Sequence, residues 1–232
     1  MSRLDDLVPM SRELGKPGRD YVILSEGNTS ARADDGSTFW VKASGTSMAD
    51  VERDGFLQVD TAAVLALLDE PSLSESEMRS RLDAAKVDPD AAGSPSIETA
   101  MHAVCLTLAE AEFVGHTHPT AINAILCSQR AEASFNQPIF PAESMVCGQP
   151  LFVPYGAPGQ PLARAVREAL QTAIDRRGRP PRVLLLQNHG LVALGETPRR
   201  VLDRTAMMVK TARILVETYA LGGPRFVDYG VH

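Results

Sequence analysis

A chain of 232 residues is long enough to bury a hydrophobic core in one large domain or two small ones. Its 44% hydrophobic and 22% charged residues are typical of a globular protein. The net charge of −6 argues against nucleic-acid binding, which needs a basic surface. No apolar run approaches the roughly 18 residues of a membrane span, so we expect no membrane contact.

The cysteines and the N-terminal residues indicate a cellular compartment. Cys105, Cys127 and Cys147 are widely spaced and form no Cys-x-x-Cys pair, which is typical of buried thiols rather than of a disulfide framework. The first residues include acidic side chains where a secretory signal would have an apolar run. We therefore expect a protein of the reducing cytoplasm.

One irregular segment, residues 69–93, interrupts the chain. It is rich in Pro, Ser, Asp and Glu and has few large apolar residues. Such a composition buries too little surface to offset the entropy lost on ordering, so we expect it to be loop-like, at least at its flanks. It resembles a linker, but the motifs described below fall on both sides of it. We therefore interpret residues 1–232 as a single domain with an insertion.

Strand and helix patterns alternate along the chain. Thr38–Lys42 has the aromatic and β-branched residues of a strand, and Ser96–Glu110 has helical periodicity with Ser96 as a potential N-cap. The other predicted elements are a strand ending at His116, a helix at Pro161–Arg177, strands at Val183–Gln187 and Leu191–Leu194, and a helix capped by Thr197 that ends near Leu221. This interleaving predicts a layered α/β fold.

Two of the five histidines form the motif His116-Thr117-His118, with Pro119 after it. Side chains at positions i and i+2 of a strand point to the same face, so these two imidazoles could bind one metal ion. Two surface histidines in a loop are the alternative, and the motif alone does not decide between them.

A further histidine, His189, follows the apolar run 183–186. The end of a buried strand is where α/β proteins place ligands. A hairpin turn would explain Gly190 but not the histidine. Three histidines with an open fourth position would form a catalytic zinc site.

Glu98 lies in the predicted first turn of the helix 96–110. A carboxylate there favours the positive end of the helix dipole and can complete a cap, so an ordinary structural role is available. His102 falls four residues later on the same helical face. We expect it to pack or to form a hydrogen bond, and we do not assign it to the metal.

Two polar segments, Ser25–Ser30 and Ala43–Ser47, adjoin predicted strands. Turns made of Gly, Ser, Thr and Asn can direct backbone N–H groups and hydroxyls at a phosphate without a cationic side chain. The same composition also forms ordinary turns. Neither segment is a Walker loop or a dinucleotide-binding fingerprint.

In their order and spacing, these motifs resemble the class II aldolase/adducin family. The matching segments are Gly27–Ser30, Ser44–Thr46, Pro95–Glu98 with His102, His116–Pro119, and His189–Leu191 with Gly195. The family includes aldolases of fuculose phosphate and other sugar phosphates, ribulose-phosphate 4-epimerases, methylthioribulose-phosphate dehydratases, some decarboxylases and the adducin head domains.

The resemblance implies a fold and a site. The implied fold is a central, mainly antiparallel sheet with helices on both faces. His116, His118 and His189 fall on the positions of the zinc ligands, where manganese or cobalt are the other divalent candidates, and Glu98 falls on the acid/base carboxylate. The phosphate-binding positions are Gly27, Asn28, Ser44, Gly45 and Ser96. The family's usual assembly is a homotetramer with sites between neighbouring subunits.

The resemblance also implies a reaction, the aldol cleavage of a small phosphorylated ketose to dihydroxyacetone phosphate and an aldehyde through an enediolate. We expect Glu98, with a pKa raised by burial, to exchange the proton on the donor carbon. The same chemistry serves 4-epimerisation, dehydration or decarboxylation. An adducin-like interaction module is the non-enzymatic alternative, and the retained histidines and Glu98 favour an enzyme.

Two departures from the fuculose-phosphate aldolases bear on the reaction. Ile97 stands where those enzymes have a second serine. The stretch 140–145 lacks the tyrosine that they use as a proton donor. Tyr155, Tyr219 and Tyr229 are the candidates to replace it, although none lies at a matching place.

Overall fold

The computed structural model describes residues 2–228, and its centre is a sheet. The strands of this part of the chain are β1 (Asn28–Arg32), β2 (Thr38–Lys42), β3 (Phe56–Asp60), β4 (Phe113–Thr117), β5 (Leu151–Val153), β6 (Val183–Leu186) and β7 (Gly190–Gly195). They form one sheet in the order β3-β2-β1-β4-β7-β6-β5. All neighbours are antiparallel except β5 and β6, so the expected mainly antiparallel sheet is confirmed.

Helices cover both faces of this sheet. Within the described residues they are α1 (Arg3–Gly15), α2 (Thr61–Ala66), α3 (Glu75–Ala84), α4 (Thr99–Leu108), α5 (Thr120–Leu126), α6 (Pro141–Cys147), α7 (Gln160–Arg177) and α8 (Pro198–Ala220). Buried side chains of α2, α3, α4 and α7 form the core on one face, and those of α1, α5, α6 and α8 form the core on the other. The expected layers of helix, sheet and helix are therefore present.

Strand β6 shows why the central strands are apolar. Leu184 and Leu186 belong to the core under α4 and α7, whereas Val183 and Leu185 belong to the core under α8. Successive side chains of a strand point to opposite faces, so a strand covered on both sides needs apolar residues at every position. The run 183–186 is buried throughout for this reason.

The predicted helix 96–110 is shorter than expected, and its cap is different. Helix α4 begins at Thr99, and Glu98 rather than Ser96 is its N-cap residue. Pro95 pairs with Ala43 in an isolated antiparallel bridge, which keeps the chain extended just before the helix.

The predicted N-cap of the last helix is confirmed. The Thr197 side chain accepts a hydrogen bond from the backbone N–H of Arg200 at the start of α8.

The segment 69–93 contains a helix, which our expectation of a loop-like insertion did not include. Ser74 and Glu77 form a capping box at the start of α3. Met78 and Leu82, four residues apart, are buried against the core. A strong cap and one short apolar stripe are sufficient here because the rest of the domain supplies the surface on which the helix packs.

The cysteines differ from expectation at one position. Cys105 and Cys147 are buried, but Cys127 is exposed. Cys127 follows the last residue of α5, whose Ile122, Ile125 and Leu126 already occupy the core-facing side.

In the described part of the chain, no helix is long and apolar enough to cross a membrane.

Candidate metal centre and active site

Strand β4, in the middle of the sheet, carries the first histidine of the site. His116 pairs with Asn28 of β1 on one side and with Val192 of β7 on the other. His118 lies just beyond the end of β4, where its backbone N–H donates a 2.8 Å hydrogen bond to the carbonyl of Tyr21. This bond holds the chain after the strand, so both imidazoles lie at the same end of β4.

The turn between β6 and β7 carries the third histidine. Asn188 adopts a left-handed conformation with φ of 53°, which asparagine tolerates better than most residues. The His189 carbonyl accepts a 3.0 Å hydrogen bond from the side-chain amide of Asn123 on α5. The turn is therefore fixed against a helix, and it directs His189 towards the end of β4.

Two glycines let the backbones around these histidines approach closely. A Cβ atom on Gly190 would lie 2.6 Å from the carbonyl oxygen of Thr117 and 2.7 Å from the His118 ring. A Cβ atom on Gly27, which has φ of +68°, would lie 2.6 Å from the His116 carbonyl oxygen. Any side chain at either position would push these segments apart, so both glycines have a steric role.

The three imidazoles meet through their Nε2 atoms. The Nε2 atom of His116 lies 3.0 Å from that of His118 and 3.3 Å from that of His189. Candidate ligand atoms of the three residues all lie within 4.8 Å of one another. A tetrahedral zinc ion with Zn–N distances of about 2.0–2.1 Å holds its ligand nitrogens about 3.3 Å apart, so the observed spacing fits such an ion.

The protonation state of His116 also suits a metal ligand. Its Nδ1 atom lies 3.0 Å from the carbonyl oxygen of Leu191, so Nδ1 carries the proton and donates this hydrogen bond. Burial lowers the pKa of His116 well below its ordinary value, and the ring is therefore neutral. A neutral ring with its proton on Nδ1 leaves the Nε2 lone pair free to bind a cation.

Glu98 adds a carboxylate to this cluster. Its Oε1 atom lies 2.9 Å from His189 Nε2, and its Oε2 atom lies 3.5 Å from His116 Nε2. Its side chain makes no capping hydrogen bond to α4. The ordinary capping explanation for Glu98 therefore does not apply.

The pKa of Glu98 differs from our expectation that burial would raise it. Burial acts to raise its pKa, as expected, but the hydrogen bonds that the carboxylate accepts from His189 and Asn28 favour the ionised form and outweigh burial. The net effect lowers the pKa of Glu98 below its ordinary value. The resting carboxylate is therefore ionised, and it can accept a proton or contact a cation.

Of the residues expected to bind phosphate, Asn28 contacts the Glu98 carboxylate directly. Its side-chain amide donates a 2.8 Å hydrogen bond to Glu98 Oε2. Ser44 and Gly45 are exposed at the loop after β2, and the Ser44 N–H is already bonded to the carbonyl of Ser94. Only the hydroxyl of Ser44, and not its N–H, is therefore available to a phosphate.

The remaining phosphate candidate, Ser96, lies beside the same loop. The bond from Ser44 to Ser94 and the bridge from Ala43 to Pro95 join the two segments side by side. The Ser96 hydroxyl accepts a 3.3 Å hydrogen bond from the Glu98 N–H. The tertiary structure thus brings two segments that are far apart in sequence to one rim near Glu98.

Sequence reasoning missed Lys42, at the end of β2. Its ammonium is buried and donates hydrogen bonds to the carbonyls of Ala43 and Thr46, at 3.2 and 2.6 Å. Burial lowers the pKa of Lys42 to about 8, against the opposing attraction of the Glu98 carboxylate. A lysine at the end of a mostly apolar strand was the available signal. Lys42 holds the loop that contains Ser44 and Gly45.

Sequence reasoning also missed Glu26. Its Oε2 atom lies 3.6 Å from Nδ1 of His118, and this carboxylate is partly exposed. A carboxylate beside the second nitrogen of a ligating histidine orients the ring in many metal sites. The two residues line a cavity of about 380 Å³ that opens next to the histidines.

The candidate proton donors lie in different environments. Tyr155 is exposed, whereas the hydroxyl of Tyr219 is 2.9 Å from that of Ser134. Tyr229 lies outside the described residues. Neither described tyrosine contacts the histidines or Glu98 through a hydrogen bond within residues 2–228.

The comparisons with known proteins agree with this architecture. A family model described as the Class II Aldolase and Adducin N-terminal domain matches residues 5–216. The chain therefore belongs to the class II aldolase and adducin N-terminal domain family. The members of this family that act as class II aldolases are metal-dependent, and the chain has the three-histidine cluster.

Two solved structures share the fold. The N-terminal class II aldolase domain of a conserved protein from Thermoplasma acidophilum is 26% identical, with a TM-score of 0.71 over 92% of this chain and 93% of that one. An L-fuculose 1-phosphate aldolase is 17% identical, with a TM-score of 0.72 over 97% of this chain and 90% of that one. At 17% identity the second likeness concerns the fold alone.

A curated relative from Bacillus subtilis, the uncharacterized oxidoreductase YuxG, is 26% identical over 216 residues. The match covers 90% of this chain but only 29% of that protein. The chain thus spans less than a third of the relative's length, and the relative's name describes a much longer protein.

We predict that the protein binds one divalent ion per chain through His116, His118 and His189. His189→Ala should lose the ion, because a three-histidine site without one ligand binds zinc poorly. The metal content per chain is measured by elemental analysis after dialysis against a buffer that contains trace zinc. His102→Gln, which changes a neighbouring histidine outside the cluster, is the control and should retain the ion. Full metal content in a His116→Ala, His118→Ala double variant would contradict the assignment.

Proposed function

We propose that the protein is a metal-dependent aldehyde-lyase that cleaves a small phosphorylated ketose to dihydroxyacetone phosphate and an aldehyde. The observation that carries this proposal is the convergence of three imidazole Nε2 atoms and one ionised carboxylate at the end of β4. The histidines would hold zinc, manganese or cobalt. When bound, such an ion supplies Lewis acidity towards the carbonyl and hydroxyl oxygens of the ketose.

Glu98 acts as the acid/base group in this proposal. Cleavage breaks the bond between the donor carbon and the carbon that becomes the aldehyde, and the electron pair stays on the donor side as an enediolate. Because Glu98 is ionised in the resting site, it can take up the proton that the hydroxyl of the new aldehyde carbon releases as this bond breaks, and it then delivers that proton to the donor carbon. Asn28 holds one carboxylate oxygen in place during this transfer.

The phosphate end of the substrate would lie against the rim formed by the loop after β2 and the segment before α4. Ser44 and Ser96 offer hydroxyls there, Gly27 and Gly45 allow close approach of the backbone, and Asn28 offers an amide. Binding the remote phosphate fixes the reacting carbons relative to Glu98, and such orientation contributes much of the rate. No heavy atom lies within 4 Å of the place that a Cβ atom on Gly45 would occupy, so space for a ligand is open beside it.

Epimerisation, dehydration or decarboxylation on the same scaffold is the second candidate. Ile97 removes a hydroxyl from the rim, and residues 140–145 supply no tyrosine. The first departure alters the rim that would hold the phosphate, and the second removes a proton donor of the fuculose-phosphate aldolases. The adducin-like interaction module is disfavoured, because a non-enzymatic domain has no need for a neutral buried histidine beside an ionised glutamate.

We further propose that the protein works in the cytoplasm as a homotetramer with its sites between subunits. Ile23 and Leu24, near the cavity beside His118, are 61% and 86% exposed. Large apolar side chains at this degree of exposure mark interaction surfaces when they lie together. Leu24 also adopts the left-handed φ of 53°, an arrangement that costs free energy and suggests that this segment has a partner.

The reaction is tested by a substrate screen. Zinc-loaded protein is incubated with ketose 1-phosphates, ketose 5-phosphates and phosphorylated oxo-acids, and the products are identified by mass. We expect dihydroxyacetone phosphate and an aldehyde from one of the ketose 1-phosphates. A product of unchanged mass would indicate epimerisation, and loss of water or of carbon dioxide would indicate one of the other reactions. Each of these outcomes would overturn the aldolase assignment.

We predict that Glu98→Gln lowers turnover about 10²–10⁴-fold, the range typical of general acid–base catalysis. The variant should keep its fold, its metal and most of its substrate affinity, because the change is nearly isosteric. Steady-state kinetics and metal analysis measure these effects. Glu112→Gln, at an ion pair with Arg3 away from the histidines, is the matched control and should keep normal turnover. Near-normal turnover in Glu98→Gln would show that the mechanism is wrong.

We predict that light scattering gives a mass of four chains in solution at micromolar concentration. A charge at the exposed apolar surface should weaken the assembly, so Leu24→Asp should shift the mass towards one chain. Val87→Asp, another exposed apolar residue, is the control and should leave the mass unchanged. A single-chain mass for the unmodified protein would refute the tetramer.

A further inference from the structure

A buried chain of hydrogen bonds runs from β1 through α4 to the catalytic carboxylate. The Ser30 hydroxyl lies 2.6 Å from Nδ1 of His102, and Nε2 of His102 is hydrogen-bonded to Oδ1 of Asn28. The amide of Asn28 then donates to Glu98 Oε2 at 2.8 Å. Ser30 and His102 are fully buried, and Asn28 and Glu98 are at most 9% exposed.

The chemistry of these groups fixes the direction of every bond. The Asn28 nitrogen lies against Glu98 Oε2 and donates to it, so the Asn28 oxygen faces His102. That oxygen can only accept, so Nε2 of His102 carries a proton and donates it. Burial lowers the pKa of His102 to about 4, so the ring is neutral and Nδ1 has no proton. The Ser30 hydroxyl therefore donates to Nδ1.

This arrangement explains a histidine that the metal site does not use. His102 is not among the three histidines that converge. An asparagine amide has nearly the same shape in its two orientations, and only its hydrogen-bond partners distinguish them. If the Asn28 amide turned over, its oxygen would face the Glu98 carboxylate, and both groups would repel each other in a buried site.

We propose that His102 is a positioning residue, which holds the Asn28 amide so that its N–H groups face Glu98 and the substrate. Ser30 in turn holds the His102 ring in the tautomer that this requires. The proposal deepens the proposed function, because it assumes that Glu98 is the acid/base group. His102 itself touches neither the substrate nor the metal, and it acts through Asn28.

A purely structural His102 would have a different signature. Its loss would lower the free energy of unfolding but would leave the turnover of each folded, metal-loaded chain unchanged. A positioning role predicts that turnover falls while the metal content stays constant. Loss of an outer-shell partner in a metal site typically costs about 10–100-fold in metal affinity or activity, and we expect a fall in turnover of that size here.

The kinetic experiment compares two variants of the whole protein. His102→Leu keeps an apolar side chain of similar size but removes the donor to Asn28. His102→Gln places an amide N–H at about the distance of Nε2, so it can still donate to the Asn28 oxygen. On the substrate found by the screen, we expect kcat to fall about 10–100-fold in His102→Leu and to recover to within a few-fold in His102→Gln. Equal loss in both variants, or no loss in His102→Leu, would overturn the proposal.

A spectroscopic experiment tests the same bonds without a substrate. Nitrogen-15 NMR of the zinc-loaded protein should show a neutral His102 ring with its proton on Nε2, assigned by the disappearance of its signals in His102→Gln. The side-chain amide protons of Asn28 should stay protected from exchange in the unmodified protein and in His102→Gln, and should lose protection in His102→Leu. A proton on Nδ1, a charged ring, or unchanged Asn28 protection in His102→Leu would overturn the proposal.

The two experiments separate the failure of this inference from the failure of the proposed function. If no sugar phosphate is cleaved but the NMR signals are as expected, the aldolase assignment fails and the positioning of Asn28 stands. If cleavage is found but the His102 proton lies on Nδ1, the positioning fails and the aldolase assignment stands.

Discussion

The position of β4 between β1 and β7 is the constraint on which the site depends. Antiparallel pairing places Asn28 opposite His116 on one side and brings the turn that carries His189 to the other. Because hydrogen-bonded strands lie about 4.8 Å apart, side chains from three strands can reach one point. The glycines at positions 27 and 190 remove the side chains that would keep these segments apart.

The electrostatics of this point follow from burial. Desolvation keeps the buried His116 and His102 neutral, whereas the ionised Glu98 is stabilised by the hydrogen bonds that it accepts from Asn28 and His189. A carboxylate charge in this buried place attracts a cation strongly, because the low local dielectric strengthens the attraction. The same carboxylate is a poor acid until it is protonated. Its environment therefore favours a role in which it first accepts a proton.

Family membership and chemical function are separate conclusions for this protein. The family match covers nearly the whole described chain, and the fold is shared with an L-fuculose 1-phosphate aldolase. A metal-assisted enediolate is common to several reactions, so the metal-binding half of a site does not distinguish them. The distinction lies in the other groups of a site, and this sequence departs from the fuculose-phosphate aldolases at Ile97 and in the stretch 140–145. Identification of the products is therefore more informative than further comparison of folds.

The sequence predicted a layered α/β fold, the strand Thr38–Lys42 and the cap of α8, because local periodicity and capping chemistry determine these features. The mainly antiparallel sheet was implied by the resemblance to the family. The sequence also marked Glu98 and the histidines that converge in the structure. It did not predict α3, the burial of Lys42, the lowered pKa of Glu98 or the bonds of His102. Each of these depends on groups distant in sequence, whose burial and charge act only once the chain has folded. Composition and local spacing do not show which distant residues become neighbours, so only the tertiary structure determined these features.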